Sequence, residues 1–156
     1  MPKGKKSIQS PPVSYKFKSG ERDNFLDIPV TGYENTVRTP GDSGKNQEYV
    51  INKILDSNYL GLRDRLYTAL TRQTEYRPFS NNEYPADQRK DNYENIDSIH
   101  NQIHGIVGSV GHMAFVSFSA FDPIFFLHHT NIDRLFAIWE AINLDTYVVP
   151  QGNDAG

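Results

Sequence analysis

ENIDSIHNQIHGIVG, residues 94–108, spaces Ile96, Ile99, Ile103 and Val107 three and four positions apart. That is the stripe of an amphipathic helix. His100 and His104 are four apart, so their rings leave the same side of that helix, one turn from each other. On a wheel advancing about 100° per residue the two histidines border the apolar arc. Asp97 and Asn101 lie just beyond them. Gly108 is the expected stop. One metal ion can take both rings at this spacing. The bland alternative is a pair of surface histidines beside a core stripe.

A second strong helix is expected from Asp122-Pro123 to about Asn143, because Asp is a good N-cap and Pro suits the first helical position. Ile124, Leu135, Trp139 and Ile142 fall on one side of it. It carries the doublet His128-His129 in FLHHTNIDR, residues 126–134. Adjacent helical residues point about 100° apart, so the two are not expected to reach one metal together. His128 sits near the centre of the apolar arc, and His129 on its flank with Phe125 and Phe136. Periodicity alone does not choose between them. A core histidine needs a hydrogen-bond partner; a flank histidine can reach the neighbouring helix, which favours His129. Two histidine clusters on successive helices favour metal binding over coincidence. His112, in a Gly-His-Met loop, reads as incidental.

The rest of the chain sets bounds. Its 156 residues suit one domain. The net charge of −3 gives no global field for nucleic acid, and KGKK at residues 3–6 reads as a solvated tip. The chain has no cysteine, which excludes disulfides, thiolate metal sites and thiol catalysis. No stretch approaches the roughly 20 apolar residues of a membrane helix. The N-terminus shows no apolar leader, so a soluble protein is expected, cytoplasmic if that terminus is genuine. Residues 1–45 look irregular, with a short extended piece in SPPVSYKF (10–17). Short helices are expected over 46–57 and 62–73, a polar loop over 74–92, and a packed loop over 111–121.

HNQIHGIVG, the GHM loop and SAFDPIFFLHHTNIDRLFAIWE together resemble the CuB half of the tyrosinase family, the type-3 copper phenol oxidases. SPPVSYKF, ENTVRTP and LTRQTEYRPFSNN resemble segments of fungal members, so the resemblance covers most of residues 7–149. It implies a mainly α fold: an antiparallel pair of histidine helices with long loops, half of a four-helix copper domain. The CuB ligands it implies are His100, His104 and His129, with His128 as a neighbour that shapes the site. Asn101, with Asp97 where relatives often carry Glu, is implied to orient a water that helps deprotonate phenols. Val116 falls near a gate position above the copper. Asp133 and Arg134 match a pair that orders the helix.

The activity implied is oxidation of phenols and o-diphenols to o-quinones with O2, monooxygenase chemistry of the kind used in melanin biosynthesis. Neutral imidazole suits copper in both oxidation states. The family also uses a CuA site with three further histidines upstream, and this chain has none before His100. Residues 1–156 therefore read as the C-terminal, CuB-bearing part of a tyrosinase copper domain. The CuA part, and with it a second copper, is expected from a missing partner half. The isolated chain is expected to be inactive or incomplete. The alternative is a non-catalytic fragment holding a single copper or zinc ion.

Overall fold

The computed structural model describes residues 14–22 and 29–148. The KGKK tip and the start of SPPVSYKF lie outside the described residues. The described fold is mainly α, as expected. Its helices are α1 (Glu48–Arg72), α2 (Tyr76–Ser80), α3 (Ile96–Gly108), α4 (Val116–Ser119) and α5 (Ile124–Ile142). Single 3-10 turns occupy Pro29–Gly32, Ala86–Gln88 and His112–Ala114. Ahead of α1, residues 15–17 pair with 34–36 through Phe17 N–H to Glu34 O (2.9 Å) and Thr36 N–H to Tyr15 O (2.8 Å). This antiparallel bridge is the extended piece anticipated in SPPVSYKF.

Helix α3 begins where Asn95 Oδ1 accepts the Ser98 N–H at 2.7 Å, the bond of a good N-cap. It ends at Gly108 for a different reason from the one expected. The left-handed residue is Ser109 (φ 51°), one position later. Gly108 is needed because a Cβ there would overlap the backbone of Met113 and Ala114. Helix α5 starts after Asp122, whose Oδ1 accepts the Ile124 N–H at 3.0 Å.

The contacts of α3 and α5 run in opposite order. Ile96 and Ile99 share a core cluster with Ile132, Leu135 and Trp139, while Ile103 and Val107 share one with Ile124 and Phe125. The pair is therefore antiparallel. Helix α1 lies across both, with Ala69 in the first cluster and Ile51 in the second. Arg65 of α1 also reaches α3, bonding Ser98 Oγ at 3.0 Å and, just ahead of α3, Glu94 Oε2 at 2.8 Å.

Four expectations needed correction. The helices foreseen at 46–57 and 62–73 are one, because Gly61 is merely exposed and nothing breaks the chain there. The loop 74–92 contains α2, whose Phe79 is fully buried and stacks on Trp139 at 4.4 Å and 6°. A lone aromatic in a polar stretch carries no periodicity, so this anchor was invisible. The 111–121 segment is not loop throughout: it holds a 3-10 turn and α4. Ile142, placed on the core side of α5, is 54% exposed, since the last turn extends past the cluster around Trp139.

Trp139 is fully buried, donates its indole N–H to the Gln73 carbonyl, and joins α1, α2 and α5. Trp139→Ala is expected to destabilise the chain by about 3–5 kcal/mol, the usual range for deleting a buried large aromatic. Urea denaturation followed by far-UV circular dichroism would measure it.

Candidate metal centre

Four half-buried histidines meet where α3 crosses α5. The rings of His100, His104 and His129 lie 4.5, 4.9 and 5.2 Å apart between centroids. They meet edge to face, at 65° to 73°. In each of the three, Nδ1 already has an oxygen partner. His104 Nδ1 lies 2.7 Å from the Met113 carbonyl, and His129 Nδ1 lies 2.8 Å from the Phe125 carbonyl. His100 Nδ1 lies 3.0 Å from Asn101 Oδ1. The Asn101 amide is oriented by its other end, which donates to Asp97 Oδ1 at 3.1 Å.

A carbonyl oxygen only accepts, so the proton of each ring sits on Nδ1 and the lone pair on Nε2. The Nε2 atoms of His100 and His129 are 3.0 Å apart. Two lone pairs facing each other at that distance repel unless a proton or cation lies between them. A metal ion would remove that repulsion, and a hydrogen-bonded far nitrogen is what a ligating histidine needs. By this donor chemistry the residues fit a metal.

His128 is arranged differently. Its Nε2 lies 3.3 Å from the His100 carbonyl, so Nε2 carries its proton. Its ring stacks on that of His100 at 5.0 Å and 8°. By proximity alone the group is a different one: ring nitrogens of His100, His104 and His128 fall within 4.8 Å of one another. Orientation separates the two. A ring's lone pair lies in its plane, and the planes of two stacked rings do not converge on one ion. The cleft of about 510 Å³ beside the site is lined by His100, His104 and His129, with His128 absent from its wall.

Burial and the neighbouring histidines depress proton affinity here. His100 is held below the usual imidazole range, first by burial and then by His104 and His129. His128 is pushed down to about 4, again by burial first and then by the other three rings. Neutral imidazoles are the form that binds metal.

The remaining sequence candidates fall as follows. Asn101 and Val116 line the cleft with the three histidines. Val116 is almost fully exposed at the start of α4. Asp97 stands behind Asn101 rather than in the cleft wall, and also accepts the Asn82 N–H at 3.3 Å. Arg134 bonds Asn131 Oδ1 at 3.0 Å. His112 is not incidental. It is fully buried, stacks on Phe17 at 5.3 Å, and its Nδ1 accepts the Val37 N–H at 2.9 Å. Sequence reasoning missed this because its partners lie 75 and 95 residues upstream. It also missed the Met113 carbonyl, which holds His104, since a backbone oxygen has no signature in sequence.

A helical domain with imidazoles converging from two antiparallel helices defines a helix-pair centre that could hold a metal ion. Residues 2–142 match the family described as the common central domain of tyrosinase, and the chain belongs to the tyrosinase family. It is 34% identical over 120 residues to a tyrosinase of Podospora anserina, an alignment covering 76% of this chain and 21% of that protein. It is 34% identical over 157 residues to polyphenol oxidase 2 of Agaricus bisporus, covering 98% and 28%. Among solved structures it is similar to recombinant mushroom tyrosinase, with a TM-score of 0.78, 31% identity, and coverage of 87% of this chain and 24% of the other. The chain thus spans between a fifth and a third of the length of these curated relatives. No helix among the described residues is long and apolar enough to cross a membrane.

Gly108→Ala is expected to push the 112–114 turn off the end of α3 and so release His104 from the Met113 carbonyl. Nitrogen-15 NMR of the imidazoles checks this: the hydrogen-bonded His104 Nδ1–H signal should be lost or shifted, while that of His129 stays.

Proposed function

We propose that His100, His104 and His129 hold one copper ion through Nε2, and that residues 1–156 supply the CuB part of a tyrosinase-type oxidase. Its substrates would be phenols or o-diphenols and its products o-quinones, with O2 as oxidant. The observation that carries this is the shared tautomer: three rings with Nδ1 engaged and Nε2 free, two of those Nε2 atoms 3.0 Å apart. The names of the relatives, tyrosinase and polyphenol oxidase, supply the chemistry.

Copper bound there would supply a site for O2 and phenolate. The chain's own residues do the rest. The Met113 and Phe125 carbonyls fix two rings and raise their basicity. The Asp97–Asn101–His100 chain fixes the third. The Asn101 amide bonds the His100 ring at one end and Asp97 at the other, so it orients that ring and keeps an exposed N–H and lone pair with which to orient a water. Asp97 serves by holding Asn101. Val116 stands at the cleft, where a small apolar side chain leaves room for an aromatic ring. His128 packs behind His100 and donates to its backbone, keeping α5 in register with α3.

The second reading is a non-catalytic site for one copper or zinc ion. It is favoured by the histidine inventory: apart from the proposed ligands the sequence holds only His112 and His128. His112 is enclosed among aromatic rings away from the cleft. A second three-histidine site would therefore come from outside these residues, as a CuA-bearing half or another chain.

The purified chain is expected to bind a single equivalent of copper. His104→Ala and His129→Ala should each weaken binding by more than about 100-fold, beyond what loss of a supporting partner costs. His128→Ala should retain most of it. Equal copper in wild type and His129→Ala, by metal analysis after dialysis, would sink the ligand assignment.

The copper-loaded chain alone is expected to form quinone from an o-diphenol far more slowly than when an upstream three-histidine half is supplied, fused or in trans. Absorbance of the quinone measures both rates. Equal, rapid rates would mean that the chain completes an active site without that half.

A further inference from the structure

Val37, Arg38 and Thr39 follow one another in a segment between the bridge at Asn35 and helix α1, outside any helix. Each ties down a different support of the histidine site. Val37 exchanges two bonds with His112: its N–H goes to His112 Nδ1 at 2.9 Å, and its carbonyl accepts the His112 N–H at 3.0 Å. The next residue, Met113, supplies the carbonyl that holds His104. Thr39 caps the end of α3, donating Oγ1–H to the carbonyls of Ile106 and Val107 at 3.0 and 2.9 Å, and N–H to Gly108 at 3.1 Å. Arg38 clasps Asp122 through Nε and Nη2, at 2.6 to 3.0 Å. Asp122 in turn caps α5, the helix of His129.

Capping α5 does not by itself require a charge pair; a serine or asparagine would serve. The Asp122 side chain is fully buried and that of Arg38 only 13% exposed. A pair buried so deeply contributes little net stability, because desolvation offsets the attraction. What a forked guanidinium on a carboxylate does provide is a fixed distance and angle. Gly111 allows the same approach, since a Cβ there would overlap the Val37 carbonyl.

We infer that Arg38, flanked by Val37 and Thr39, is a positioning residue for the histidine triad. By fastening the end of α3, the 112–114 turn and the start of α5 to one strap, it sets the separation of the two histidine helices. It thereby sets the affinity and geometry of metal binding without touching the metal. The inference rests on the ligand assignment proposed above.

The test uses the full chain with Cu(II) alone as probe. Variants Arg38→Met, Arg38→Lys and Thr39→Val are compared with wild type and with His104→Ala. Helicity and thermal melting are recorded without metal, then copper affinity and the Cu(II) electron paramagnetic resonance spectrum. Arg38→Met and Thr39→Val are expected to remain helical, to bind copper about 10-fold more weakly, and to show altered copper hyperfine splitting. Arg38→Lys, which keeps the charge but loses the fork, should fall between Arg38→Met and wild type. A folded Arg38→Met with wild-type affinity and spectrum would overturn the inference while leaving the ligand assignment standing. If Arg38→Met does not fold, Thr39→Val decides, and wild-type behaviour there overturns it equally. Failure of the wild-type chain to bind copper any better than His104→Ala would overturn both.

Discussion

Three rings on two helices can share one ion only if the helices keep a fixed spacing, register and direction. The rest of the described structure serves that constraint between α3 and α5. At one end the contact is apolar: Ile96 and Ile99 meet Ile132, Leu135 and Trp139, and Phe79 closes the cluster from α2. Such packing is strong but indifferent to small slides. At the other end a second apolar cluster, Ile103 and Val107 with Ile124 and Phe125, is joined by supports that are polar and directional. Asp122 caps α5 and is clasped by Arg38, while Thr39 caps α3. The histidines lie between the two ends, so apolar burial holds the helices together and the polar clasp decides where they stop.

The rings themselves follow the same division of labour. Burial keeps His100 and His128 neutral, as a metal site requires, but burial does not aim a ring. Aiming is done by oxygen atoms. Two are backbone carbonyls, Met113 and Phe125, and one is the amide oxygen of Asn101, itself held by Asp97. Backbone carbonyls move only if the chain moves, which explains why the turn at His112–Ala114 is braced so heavily. Gly108 and Gly111 let it approach α3 and the strap, and Val37 bonds His112 through both its N–H and its carbonyl.

His112 shows how one residue type takes opposite parts in a single fold. In the cleft, imidazoles face one another with free Nε2 atoms. At His112 the same ring lies among Phe17, Tyr33 and Phe118 and accepts a backbone proton, so it acts as an aromatic with one polar edge. The difference lies wholly in what surrounds the ring.

Much of this was legible in the residues. The i, i+4 histidines, the isoleucine stripe and the Asp-Pro start placed two helices and brought three candidate rings near one another. Those are local features, and a helix repeats them every turn whatever lies around it. The resemblance to tyrosinases then singled out His129, where periodicity left the doublet open. The tertiary structure decided everything that depends on partners distant in sequence. It turned 46–73 into one helix, drew Phe79 out of a polar loop into the core, and gave His112 a partner 75 residues away. It also set the tautomers that distinguish His129 from His128. Periodicity gives the direction in which a side chain leaves its helix. Which atom of that side chain is free to bind is set by the acceptor on its other edge, and here those acceptors come mostly from the backbone, where every residue looks alike in sequence.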